Sequence, residues 1–250
     1  MGKKGGSRHL KRMPAPRFWR IKVKEAQWAT KPRPGPHPID QCIPLGIVLR
    51  DYLGLARTAR EARLIVAQGK VKVDGRVRRD EKYPVGLMDV VEIDGVKSPF
   101  RVLPVEGKGL DLIETTKEEA GFKLCKIQDK RTVDRGHLQI NLHDGRNMLV
   151  KVENPGNPVE DVYSTGASVQ IEIPNQKILK EMKLTDGAYA IVTGGRNIGR
   201  HGKISSITQA SATRPKIAEI RDSKGETFRT IGDYVFVIGE DTPAIKLAGA

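Results

Sequence analysis

The sequence predicts a multidomain α+β protein that is mostly β. Three observations carry this. Apolar and polar residues alternate in short runs over most of the chain, the period of strands with one buried face. Helical spacing is confined to two short stretches near the front. Positive charge thins out along the chain. Residues 1–42 hold eleven Lys/Arg against Glu25 and Asp40, a net of +9, whereas residues 43–105 net +4 and residues 106–250 net +1. A basic arm followed by a mildly basic unit suits a polyanion, because each neutralised phosphate releases condensed counterions.

Four segments follow in order: a basic, Pro-rich N-terminal extension (1–42), a small helical unit with short strands (43–105), a central β domain (106–176) and a C-terminal β unit (177–250). In the extension, Met13-Pro14-Ala15-Pro16 and Lys31-Pro32-Arg33-Pro34-Gly35-Pro36-His37-Pro38 forbid regular helix or sheet. Phe18, Trp19 and Trp28 stand among cations, an arrangement that suits stacked bases and neutralised phosphates. The competing reading plugs Trp19 and Trp28 into the protein's own core. The extension is expected to order fully only on a partner.

Leu45, Val48, Leu49, Tyr52 and Leu53 recur at helical spacing until Gly54 stops them. Thr58-Ala59-Arg60-Glu61 is a capping box that opens a second helix, ended by Gly69. Ala59, Ala62, Ile65 and Val66 form its core face, with Arg60 and Arg63 opposite and Arg57 just before it. Leu64 falls off that face and is expected to pack on a neighbouring element. Lys70-Val71-Lys72-Val73 alternates into an Asp74-Gly75 turn, so Val71 and Val73 face inward and the lysines outward. Arg76, Arg78 and Arg79 follow, and Val90–Ile93 is a further strand.

Leu138–Leu142 and Val169–Ile173 alternate cleanly, Asp144-Gly145 signals a turn, and Asn154-Pro155-Gly156-Asn157-Pro158 an irregular loop. Glu118, Glu119, Asp129, Asp134 and Asp144 read as a solvated face, and His137 and His143 as strand-and-turn surface. Farther on, an apolar strand ending at Val192 runs into a loop with four glycines, Gly194–Gly202, and a second strand begins near Lys203. Arg196, Asn197, Arg200, His201 and Lys203 place polar groups on that loop. Strand–loop–strand order, with no Gly-Lys-Ser/Thr opening a helix, weakens a mononucleotide reading. Thr227–Thr230 and Tyr234–Gly239 complete the strands.

Composition excludes several classes. No apolar run reaches the roughly 20 residues that span a bilayer. The N-terminus has no apolar stretch behind its charges, so a secretory signal is not expected. Gly6 stands where myristoylation favours a hydroxyl residue. Cys42 and Cys125 have no CxxC partner, which excludes a Cys-rich zinc site and fits buried thiols in a reducing cytoplasm. No catalytic residue, metal ligand, cofactor or small-molecule substrate is expected.

Thr58-x-x-Glu61-Ala62-Arg63-x-Ile65-x-x-Gln68-Gly69-x-Val71-x-Val73-Asp74-Gly75, followed by Asp89–Ile93, resembles the S4-type RNA-binding domain. That resemblance implies an RNA-facing groove of Arg57, Thr58, Arg60, Arg63, Lys70 and Lys72, with Arg76, Arg78 and Arg79 beyond. Ala188–Ile207 resembles the KOW motif, which implies an SH3-like barrel. The whole order, with His9-Leu10-Lys11-Arg12, Gly35-Pro36-His37, Tyr83-Pro84-x-Gly86-x-Met88-Asp89-Val90, Lys123-Leu124-Cys125-Lys126 and Val192-Thr193-Gly194-Gly195-x-Asn197-x-Gly199-Arg200, resembles the S4e family of small-subunit ribosomal proteins. The absence of a long basic tail after Ile238-Gly239 favours an archaeal source. The resemblance implies a cytoplasmic structural constituent of the small subunit that braces rRNA beside neighbouring ribosomal proteins. Its RNA contacts would add Lys3, Lys4, Arg8, His9, Lys11, Arg12, Arg17, Arg20, Lys31 and Arg33 to the groove and the glycine loop. An RNA-modifying enzyme or a transcription-elongation factor built on the same modules is the alternative.

Overall fold

The structure is a computed structural model that describes residues 7–153, 162–208, 215–223 and 225–247. The Asn154–Pro158 loop, Lys3 and Lys4 lie outside them. The described part of the extension, residues 7–42, is anchored on the protein itself, which departs from the expectation that the extension orders fully only on a partner. Strands β1 (Leu10–Lys11) and β2 (Trp28–Ala29) pair antiparallel, with Leu10 opposite Ala29. Between them Ala15, Trp19 and Ile21 enter the core of the next unit. The Trp19 indole N–H donates to the Cys42 carbonyl at 2.7 Å, and the Tyr52 hydroxyl to that of Phe18 at 2.8 Å. Prolines bar regular structure here, but three apolar side chains supply enough buried area to seat the segment.

β3 (Cys42–Pro44) leads into α1 (Leu45–Ile47), which continues as a π turn over Val48–Tyr52. Gly54, at φ 65°, ends it. α2 (Ala59–Ala67) is capped by Thr58, whose hydroxyl accepts from Glu61 N–H. The reciprocal bond departs from the expected box, because the Glu61 carboxylate accepts from Arg57 N–H at 2.8 Å. Ala62 and Val66 are buried and Ile65 partly so, while Ala59 is exposed, one residue narrower than the expected apolar face. β4 (Val71–Val73) and β5 (Arg76–Val77) flank the Asp74-Gly75 turn, whose two residues take φ of 49° and 70°.

β6 (Pro84–Gly86) pairs with β3, and β7 (Val90–Ile93), β8 (Phe100–Val105) and β9 (Gly109–Glu114) complete a sheet in the order β5-β4-β7-β8-β9. The glycine turn after Val105 closes the β8–β9 hairpin, so this sheet runs to Glu114, past the expected boundary at 105.

After the short helix α3 (Lys117–Ala120) come β10 (Phe122–Thr132), β11 (Leu138–Leu142), β12 (Asn147–Val150), β13 (Ser168–Glu172) and β14 (Ile178–Met182). They form an antiparallel sheet, β12-β11-β10-β13-β14, which extends past the expected boundary at 176. β15 (Tyr189–Val192), β16 (His201–Thr208), β17 (Ile217–Asp222), β18 (Thr227–Ile231) and β19 (Val235–Gly239) form the last sheet. Its order, β18-β17-β16-β15-β19, returns the final strand to β15.

Met88 from the turn before β7, Leu103 from β8 and Leu124 from β10 are buried in the C-terminal core. The units therefore share core side chains instead of hanging on linkers.

Candidate nucleic-acid interface

The cations after α1 sit on two adjoining elements. Arg57, Arg60, Lys70, Arg76 and Arg79 are exposed and Lys72 is half-buried; none makes a side-chain hydrogen bond or ion pair among the described residues. The β4–β5 register sets Lys72 opposite Val77 and Val73 opposite Arg76. Val71 and Val73 are fully buried, so the lysines beside them turn outward as the alternation requires. Arg63 departs from the expected groove: its guanidinium is bound to Glu81 at 2.6 Å. Thr58 serves the helix cap instead of a ligand. Leu64 is 53% exposed, so it does not pack on a neighbour as expected.

The N-terminal cations divide in the same way. Arg12 donates to the Ile21 carbonyl at 2.6 Å and holds the hairpin closed, and Arg20 is ion-paired with Asp111 and lies over the Tyr52 ring. Lys31 donates to the Ser7 carbonyl, and Arg33 pairs with Asp80 at 3.1 Å. Arg8 and Arg17 are exposed without such partners among the described residues. The two tryptophans separate: Trp19 is core, whereas Trp28 is 53% exposed, with His9 beside its ring and Lys11 Nζ 5.9 Å from its centroid.

The glycine loop keeps strand–loop–strand order but uses most of its polar groups internally. Arg200 pairs with Asp222 at 3.3 Å and Glu226 at 2.9 Å and stacks on Phe228, which corrects its expected place as a free contact at the loop tip. His201 shares a 2.9 Å hydrogen bond with the Tyr189 hydroxyl, Asn197 donates to the Arg229 carbonyl, and Lys203 pairs with Asp241. Arg196 alone of the five stays exposed without such a partner among the described residues. The glycines are spent on protein contacts. A Cβ on Gly199, at φ 85°, would lie 2.2 Å from Glu106 N, and one on Gly202 would lie 2.1 Å from the Arg221 carbonyl oxygen.

Sequence reading missed an ionic cluster at the junction of the units. Lys123, only 1% exposed, binds Asp74 at 2.8 Å, Asp144 at 3.0 Å and Asp89. Arg146 adds a second cation against Asp74 and Asp144, and His37 reaches Asp89 at 3.1 Å. Asp144 is therefore not on a solvated face. Burial alone would raise its pKa, but Lys123, His143 and Arg146 outweigh that and hold it at about 2. Burial is likewise outweighed at Lys123, where the carboxylates raise the ammonium well above its usual value.

His143 is half-buried at this junction and not on an open strand-and-turn surface: burial, aided by Lys123, pushes it down to about 4. Cys125, His143 and Asp144 bring possible ligand atoms within 4.8 Å of one another. A metal does not fit them. His143 Nδ1 accepts from Lys126 N–H and Nε2 faces the Leu87 carbonyl, burial raises the Cys125 thiol, and the Lys123 ammonium already occupies the cationic place.

Comparison with known proteins bears on all four segments. The pattern of the RS4NT (NUC023) domain matches residues 4–40, that of the S4 domain residues 45–91, and that of Ribosomal family S4e residues 96–178. The Small ribosomal subunit protein eS4 of Staphylothermus marinus is 53% identical over 247 residues, 99% of this chain and 98% of the relative. The eS4 protein of Methanocaldococcus jannaschii is 44% identical over 247 residues, covering 99% of this chain and all of the relative. The crystal structure of 30S ribosomal protein S4e from Thermoplasma acidophilum superposes with a TM-score of 0.66 at 34% identity, over 80% of this chain and 96% of that one.

Proposed function

The chain belongs to ribosomal protein family S4e, and from that premise we infer that it is a structural constituent of the small ribosomal subunit that binds and braces rRNA. It is a structural protein and not an enzyme, and its place is the cytoplasmic small subunit. The single observation that carries the reading is whole-length kinship with small-subunit proteins. The charge distribution supports it, with +13 of the net +14 carried by residues 1–105, the extension and the S4-type unit. The relatives compared above lend nothing to a modifying enzyme or an elongation factor.

The contacts we assign to RNA are the cations left without protein partners: Arg8, Arg17, Arg57, Arg60, Lys70, Lys72, Arg76, Arg79 and Arg196, with Lys11 beside Trp28. Lys3 and Lys4 are proposed to extend them. Arg12, Arg20, Arg63 and Arg200 hold the protein's own elements in place. The last sheet is proposed to be a KOW-type barrel element. The near-neutral remainder, net +1 over residues 106–250, would meet neighbouring ribosomal proteins.

The test is co-sedimentation with archaeal small subunits through a high-salt wash. A structural constituent stays with the particle. Quantitative release into the supernatant at salt that leaves other small-subunit proteins bound would contradict the reading.

A further inference from the structure

Where the extension crosses the S4-type unit, a cleft of about 470 Å³ is lined by Arg33, Val77, Arg78, Arg79, Asp80 and Tyr83. Two segments distant in sequence build it. Arg33 arrives on the extension, seated by its own N–H on the Lys82 carbonyl at 2.9 Å. Arg78 and Arg79 follow β5, and Arg78 N–H is fixed on the Val71 carbonyl at 3.0 Å. Three guanidiniums therefore face one carboxylate, a local charge of +2.

The three differ in what holds them. Arg33 is oriented by Asp80, through its Nε at 3.1 Å. Arg78 lies over the Tyr83 ring at 4.3 Å, and its buried Nε has no hydrogen-bond partner. Among the described residues neither Arg78 nor Arg79 makes a side-chain hydrogen bond or ion pair. A guanidinium held over an aromatic ring with a buried donor left without an acceptor is an incomplete site, since buried donors are normally satisfied. Its planar fork matches the oxygens of a phosphate or carboxylate, and the surplus of two positive charges asks for an anion.

We propose that this cleft is a built phosphate site, in which Arg33 and Arg78, flanked by Arg79, together hold one backbone phosphate of rRNA. The proposal rests on the RNA-binding reading above and adds a specific consequence. The extension and the S4-type unit grip the same phosphate, so the extension's path across the unit is fixed by RNA as well as by Trp19.

Binding of the small-subunit rRNA transcript of Staphylothermus marinus, measured as a function of salt, tests this on the full chain. Arg33→Ala and Arg78→Ala should each weaken binding about tenfold or more and lower the salt slope by about 0.7–0.9. Because one phosphate is shared, the double variant should lower the slope no further than either single change. Arg78→Lys should keep the slope but recover only part of the affinity, and thermal denaturation run alongside confirms that both Arg78 variants fold.

Summed slope losses in the double variant would mean two separate phosphates and overturn the proposal. So would full affinity in Arg78→Lys. Unchanged naked-rRNA binding in Arg78→Ala, with weaker retention in assembled subunits, would assign the cleft to a neighbour's carboxylate instead. Arg60→Ala separates the two levels. If it weakens binding while the cleft variants do not, only this proposal fails; if the unaltered chain does not bind the transcript, the RNA-binding reading itself fails.

Discussion

Replacing Lys123 with Met removes the ammonium from three buried carboxylates, Asp74, Asp89 and Asp144. Leaving buried charges uncompensated costs about 3–5 kcal/mol, so urea denaturation of Lys123→Met should show a loss of that size or failure to fold. A change below about 1 kcal/mol would mean that the cluster is solvated. His143 gives the same region a pH dependence. Its folded pKa, about 4, lies below the usual histidine value, so the unfolded chain binds the extra proton between roughly pH 6.5 and 4. Its contribution is complete above pH 6.5 and is lost as pH falls to 4. Asp144 behaves likewise at lower pH, contributing fully above its ordinary carboxylate pKa and losing that contribution as pH falls through about 2. His143→Gln should flatten denaturation stability between pH 6.5 and 4 and leave the steeper acid loss in place; an unchanged profile would remove His143 from the account. None of this was legible in the sequence. Asp74 and Asp144 each precede a glycine, so both read as turn residues. Lys123 lies on β10, where Lys123, Leu124 and Cys125 are all buried, and a strand covered on both faces shows no alternation to read.

Elements were legible where local chemistry decides them. The Thr58 cap, the Asp74-Gly75 turn and the outward Lys70 and Lys72 follow from side-chain oxygens, positive φ and period two, and the structure has each. The glycine loop was legible as an element but not in its contacts, because its neighbours are Val105–Glu106 and Arg221, distant in sequence. Gly202 illustrates this: among the backbone conformations it is not one of the positive-φ glycines, and its constraint is the Arg221 carbonyl. Gly199→Ala and Gly202→Val should therefore each destabilise the fold by roughly 1–3 kcal/mol through overpacking. Arg200→Ala should also lower stability, since it loses two ion pairs and the Phe228 stack, whereas Arg60→Ala should lower only RNA affinity. Thermal melts of the four variants check this ordering; an Arg200→Ala melt equal to that of the unaltered chain would return Arg200 to the RNA-binding set. The two tryptophans separate similarly. Trp19→Ala should cost about 3–5 kcal/mol as a core truncation, and Trp28→Ala should leave the melt unchanged.

At the scale of the whole molecule, charge and packing divide the chain differently. Charge falls off after residue 105, yet Met88, Leu103 and Leu124 share the C-terminal core and Lys123 ties the units at one point. The protein thus offers rRNA one basic end on a body whose parts cannot easily shift, which suits a brace. The central claim is that RNA meets chiefly this end, with Arg196 the one contact assigned on the near-neutral body. Lysine acetylation read by mass spectrometry, on the free chain and on the chain within small subunits, tests it most directly. The account predicts that Lys11, Lys70 and Lys72 become protected in the subunit more strongly than Lys177, Lys180 and Lys183. Protection concentrated on Lys177–Lys183, with Lys70 and Lys72 as reactive as in the free chain, would contradict it.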